Sequence, residues 1–264
     1  MSLSITPTIA TRPPGRAVQL FPKEHGAYAM LGFPLATALI VAGPAWASLG
    51  VALAAVAGFL AHEPLLVIRG RRGLRAQREA PAAKQWLWAY ALIATTGSSL
   101  AFGLGSSAVR WSLLCCGAIA TAGFALAWAG KHHSRAGQAF GAVGLSAPCV
   151  PILLSESEAS IATAAEFWAT WLIGLAAAMI AVNSVLAPAK RLARPTATGL
   201  LFLLGVATAI LQAIGCHLPM AVIPVFGLAM TLLLYPPRPK HLKRVGWTLA
   251  GGVFATSIWL LTLC

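Results

Sequence analysis

The chain has 264 residues, is 58% hydrophobic and only 9% charged, and sets 19 Lys and Arg against 6 acidic residues for a formal net charge of +13. A soluble domain carries about 25% charged residues, so a water-soluble fold is excluded and the solvent for most of this chain is lipid. All the acidic residues are Glu; the absence of Asp removes aspartate-rich Mg²⁺ clusters, Walker B motifs, Asp-containing triads and EF-hand loops.

Residues 1–24 contain Pro7, Pro13, Pro14 and Pro22 without an apolar run, and read as a flexible cytoplasmic tail ahead of a single transmembrane domain, 25–264. Ala45, Trp46 and Ala47 form the small-x-small pattern of a signal-peptide cleavage site, but the polar region before the first apolar segment is too long for that reading. Requiring roughly 20 apolar residues per span places helices at 25–43, 46–68, 86–105, 111–130, 137–154, 164–187, 196–214, 218–235 and 246–263. The expected fold is therefore all-α and polytopic, with nine transmembrane helices. In the fifth of them Gly137, Gly141, Gly144, Pro148 and Pro151 argue for a broken helix, and Gly137 and Gly141 have the spacing that permits close helix approach.

The connections alternate in charge. Eighteen of the nineteen basic side chains fall in the tail and in the connections after the second, fourth, sixth and eighth spans; only Arg110 lies opposite. By the positive-inside rule the N-terminus is cytoplasmic and the C-terminus outside. The positive charge is thereby mostly topology and a grip on the anionic inner leaflet, worth about 1 kcal/mol per basic residue near the surface. Nucleic acid is not an expected partner, because no soluble module presents a basic face to a duplex.

Ionisable groups inside a membrane are functional candidates by default. His62 and Glu63 precede Arg69 by six or seven residues, which puts them about 10 Å inside the membrane from the basic connection. Pro64 follows at once and is expected to bend or open the helix. Asn183 precedes Lys190 at a similar depth, with Pro188 between them. The two polar points are expected to face each other across a cavity open to the cytoplasm, with Arg71, Arg72, Lys190 and Arg191 as a phosphate-binding rim. At the entry of the first span, Lys23, Glu24 and His25 stand side by side. Candidate catalytic residues are Glu63 and His25; candidate substrate-binding residues are Glu24, His25, His62, Glu63, Arg71, Arg72, Asn183, Lys190 and Arg191. Each has a purely structural alternative: helix packing for Glu63, an interhelical hydrogen bond for Asn183, a helix cap for Glu24, and interfacial anchoring for the cations. Glu156, Glu158 and Glu166 read as a solvated loop, as do His132 and His133. The five cysteines show no metal-ligand spacing; Cys216 and Cys264 fall near one face, where a disulfide is an open alternative. No metal site and no phosphate loop is expected.

The stretch Phe21–Leu35, FPKEHGAYAMLGFPL, resembles the opening signature of the YwiC-like family of bacterial membrane proteins, P-K-x-H-G-A-x-A-M. The block His62–Glu79, HEPLLVIRGRRGLRAQRE, is similar to the E-P-L and Arg-rich connection of that family, and the basic segment from Ser184 to Arg194 is similar more loosely, since Pro188 interrupts it. In topology the chain also resembles the UbiA superfamily of intramembrane prenyltransferases. That resemblance implies a nine-helix bundle with functional cytoplasmic connections after the second and sixth helices. In the superfamily those connections hold Mg²⁺ on a prenyl diphosphate through aspartates. This chain has Glu63 and Glu79 near the first connection and no carboxylate near the second, so Mg²⁺ and the metal-dependent chemistry are not carried over. The expected function is binding or processing of a prenylated or phosphorylated lipid in a cavity with a basic mouth. The alternatives are a proton-coupled transporter and a membrane assembly protein with no small-molecule site.

Overall fold

A backbone in hydrocarbon has no water to satisfy its N–H and C=O groups, so a chain of this composition pairs them within helices. The computed structural model describes residues 21, 25–130, 134–156, 159–185, 193–237 and 242–264, and among them there is no strand. In chain order the helices are α1 (His25–Ala42), α2 (Trp46–Ile68), α3 (Leu74–Glu79), α4 (Ala83–Leu104), α5 (Ser107–Trp128), α6 (Arg135–Ser146), α7 (Cys149–Leu153), α8 (Ile161–Val185), α9 (Arg194–Ala213), a 3-10 turn (Leu218–Val222), α10 (Ile223–Leu234) and α11 (Leu242–Leu263).

Every segment expected to span carries helix, but among the described residues seven helices are long and apolar enough to cross a membrane; Gly26–Ala42 and Leu218–Leu234 are apolar and shorter. The fifth expected span is broken as its glycines and prolines require: α6 and α7 meet at a turn at Ala147 and Pro148. Close approach there falls at Gly144, where an added Cβ would lie 3.4 Å from Ile119 Cγ2, and not at Gly141, which faces open space. The α5 boundary comes earlier than apolarity predicts because Ser106 caps it, its hydroxyl accepting the Val109 N–H at 3.4 Å. Pro64, expected to open α2, sits inside an uninterrupted helix and is buried. Packing on both sides holds the helix through the one backbone bond that proline removes.

The tightest crossing joins α2 to α4. A Cβ on Gly50 would lie 2.7 Å from the Gly97 carbonyl oxygen, and one on Gly97 would lie 2.6 Å from the Gly50 oxygen, with Ala54 and Ala101 completing the seam. Small residues let two backbones meet where lipid supplies no hydrophobic drive. α8 is the centre of the remainder: half of its most apolar window is buried, against 6% for α5 and 11% for α9. It packs Phe167 and Trp171 into a core shared with Val225 and Ala229 of α10 and Leu201 of α9.

The turns sort to two ends. Ala47, Leu104, Ser106, Leu154 and Ile161 line one cleft of about 350 Å³, and Arg110 and the exposed Trp46 and Trp111 lie at that end. Opposite are the C-terminal ends of α2, α5, α8 and α10, with exposed Trp86, Trp128, Tyr235 and Trp247 at that end. Exposed aromatic rings at both ends of an apolar bundle suit two membrane–water interfaces.

Candidate functional site

The last turns of α2 place Glu63 where only 1% of it is exposed. A carboxylate taken out of water demands a partner. The chain supplies one nine residues later by doubling back: the Arg71 N–H bonds the Leu66 carbonyl at 2.9 Å, and Gly73 adopts a φ of +93°. Arg72 is thereby aimed at Glu63 and forks onto it, Nε donating to Oε1 and Nη2 to Oε2, each at 2.6 Å. The bidentate geometry matches guanidinium to carboxylate in a way Lys would not. Near the pair, Tyr28 stands edge-on to Phe59 at 4.9 Å, and His62 is 6.3 Å from Phe124, centroid to centroid.

The other two arginines of the turn go to the end of α5. The Arg69 guanidinium carbon lies 3.4 Å from the Trp128 ring centroid, a cation–π contact. Arg71 Nη2 donates to the Trp128 carbonyl at 3.0 Å, giving a donor to one of the carbonyls a helix end leaves unpaired. Gly130 makes this possible: its φ is +75°, and a Cβ there would stand 2.9 Å from the Arg71 guanidinium carbon. Gln77 of α3 does the same for α2, donating to the Ile68 carbonyl at 2.7 Å.

Beneath this turn lies an open groove of about 640 Å³ between Gly58 to Leu65 of α2, Leu87 to Ala94 of α4 and Thr121 to Trp128 of α5. Its walls are apolar except for Tyr90 and Thr121, and the Thr121 hydroxyl is spent on the Gly117 carbonyl at 2.8 Å. Trp128 belongs to both structures, closing the groove and anchoring Arg69 and Arg71. The arrangement sets two guanidiniums with spare N–H groups at the end of an apolar channel, which is the chemistry that receives a phosphate on a hydrocarbon chain.

Of the residues singled out in the sequence, His62, Glu63, Arg71 and Arg72 come together at this turn. Asn183 is half-buried on α8 and is not among the residues that line the groove. The groove is accordingly bounded by α2, α4 and α5, and the expected juxtaposition of Glu63 with Asn183 is not what lines it. His25 opens α1, and Glu24, Lys190 and Arg191 lie outside the described residues. Glu166, read as part of a solvated loop, is in α8; its Oε1 accepts the Leu218 N–H at 2.7 Å and so caps the 3-10 turn. All five cysteines carry free thiols, Cys216 and Cys264 included. Burial, and then the charge of Glu166, push the Cys264 thiol upward. Trp128 and Tyr90 were not legible as site residues; the available signal was an aromatic side chain one turn before a basic connection. Both Glu63 oxygens accept from Arg72, and among the described residues no three His, Cys, Asp or Glu side chains come together.

A family model described as YwiC-like protein matches residues 21–153, half of the chain and the part that carries α1 to α7, including the arginine turn and the groove. No curated protein and no solved structure matches the chain.

Proposed function

The chain belongs to the YwiC-like family, and from that premise we propose that it is a multi-pass membrane protein that binds a phosphorylated lipid, isoprenoid or acyl, at its basic end. The observation that carries this reading is the tethering of Arg69 and Arg71 to Trp128 at the closed end of the apolar groove. Glu63 serves the site by neutralising Arg72 and holding the turn, a positioning role. The pairing also favours lipid binding over a proton-coupled carrier, since both oxygens of Glu63 are held by Arg72.

In this proposal all nine apolar segments span, forming one UbiA-like domain behind the 1–24 tail. Gly26–Ala42 and Leu218–Leu234 reach about 25 Å each, within a few Å of a hydrocarbon core of about 30 Å. The charge asymmetry then puts the N-terminus and the arginine turn in the cytoplasm and the C-terminus outside the cytoplasmic membrane. Binding, not a named reaction, is what the side chains support: no metal-dependent step is assigned to them.

The test is native mass spectrometry of the purified full chain with farnesyl diphosphate and, as the uncharged control, farnesol. Retention of the diphosphate and loss of farnesol is expected, with Arg69→Ala/Arg71→Ala weakening the diphosphate about tenfold. Equal retention of both, or of neither, removes the proposal.

A further inference from the structure

We propose that the groove between α2, α4 and α5 receives one chain of a bilayer lipid sideways from the membrane, with an anionic headgroup on Arg69 and Arg71, and that it selects by headgroup while tolerating any chain length. The inference rests on the lipid-binding reading above and names its ligand class and route of entry.

The route follows from burial. The helices that wall the groove opposite α2 are α4 and α5, with 17% and 6% of their apolar windows buried, so the groove opens on the face that meets lipid. A soluble metabolite entering it would find apolar walls with two hydroxyl-bearing residues, Tyr90 and Thr121. A lipid chain loses nothing by moving from bilayer to groove, and the discrimination falls to the mouth.

The tolerance follows from length. On each of the three helices the lining extends over eight positions and seven steps, from 58 to 65, 87 to 94 and 121 to 128. Seven steps are about 10 Å along a helix, a third of a hydrocarbon core of about 30 Å. The protein therefore encloses only the part of the chain next to the headgroup; the rest runs out among bilayer chains and is never measured.

The headgroup preference follows from charge. Arg72 is neutralised by Glu63, whereas Arg69 and Arg71 face no carboxylate among the described side chains. Arg69 gives Trp128 its flat face and keeps its edge N–H groups, and Arg71 gives up one N–H to the Trp128 carbonyl. Two adjacent forks of this kind fit the oxygens of one phosphate.

The groove floor provides a clean perturbation, because a Cβ on Gly58 meets nothing within 4 Å. Gly58→Leu extends a side chain into the groove from a position whose Cβ meets open space, and Gly103→Leu, with the same open space at its Cβ but outside the groove, is its control. The full chain, purified in detergent and followed by native mass spectrometry, is titrated with dilauroyl, dimyristoyl and dioleoyl phosphatidylglycerol, with dioleoyl phosphatidylcholine and with glycerol phosphate. The three phosphatidylglycerols are expected to bind within about twofold of one another, phosphatidylcholine about tenfold more weakly, and glycerol phosphate not at all. Gly58→Leu lowers phosphatidylglycerol binding about tenfold; Gly103→Leu leaves it unchanged, and both variants melt with the parent. Ala94→Leu, from the α4 wall, serves if Gly58→Leu unfolds. Affinity that rises with chain length overturns the inference, as does glycerol phosphate bound as tightly as the lipids. Lipid binding indifferent to Gly58→Leu and Ala94→Leu overturns it too, while leaving lipid binding as such intact. Binding of no phosphorylated lipid at all removes both readings together.

Discussion

At the scale of single residues, the Glu63–Arg72 pair concentrates the cost of keeping charge in this molecule. Glu63 is 1% exposed, and 29% of the Arg72 side chain reaches solvent, so the two partners are not equivalent. Removing Arg72 strands a buried carboxylate, which costs about 3–5 kcal/mol. Removing the charge of Glu63 leaves a cation that solvent can reach, with a smaller loss of about 1 kcal/mol. The expected order of melting temperatures in detergent is parent, then Glu63→Gln, then Arg72→Ala. The apolar double variant Glu63→Leu/Arg72→Leu should recover most of the loss, since a well-packed apolar pair replaces a buried ion pair at little cost. Arg72→Ala melting above Glu63→Gln would show that the pair does not hold the turn. The depth of Glu63 and the basic character of the turn were readable in advance, from seven residues of helix and a run of arginines. Which arginine Glu63 takes was not, because it depends on how the chain reverses between Arg69 and Gly73.

At the scale of elements, the α2–α4 crossing is the joint on which the groove depends, since both helices wall it. Gly50 with Ala54 and Gly97 with Ala101 each form a small-x-x-x-small pair, but the contact joins residues 47 positions apart in sequence, so the local pattern does not say which two helices meet. An added methyl at Gly97 must displace backbone at 2.6 Å. At Gly103, on the same helix, it meets open space and gains the helical preference of Ala over Gly, up to about 1 kcal/mol. Gly97→Ala is therefore expected to lower the melting temperature and Gly103→Ala to leave it equal or higher. Equal behaviour of the two would mean that the seam is looser than its geometry. The spacing of Gly137 and Gly141 permits close approach, but a partner helix has to be there: Gly141 faces open space, and the contact with α5 is made at Gly144.

At the scale of the whole molecule, eighteen of nineteen basic residues share one side of the proposed nine-span arrangement. Alkaline phosphatase joined after Cys264 should be active and a fluorescent protein there dark, with the opposite result for fusions in the connection between Arg69 and Lys84. Matching signals from both positions would mean an odd number of crossings fewer between them, most directly through Leu218–Leu234, the shorter apolar helix that lies between the two positions. Membrane character, helical class and the position of each apolar segment were determined by sequence alone, because hydrocarbon as solvent acts on every local stretch independently: it demands apolar side chains and internally paired backbone. The family was legible in the same way, in a run of residues at the first helix entry and the turn after α2. Neighbours were decided only by the tertiary structure. That α5 brings Trp128 under Arg69 and Arg71 and that α2 meets α4 through two glycines are outcomes of which helix surfaces fit together. In a bilayer that fit is set by packing between distant segments, and lipid, as apolar as the helices, leaves no trace of it in hydropathy.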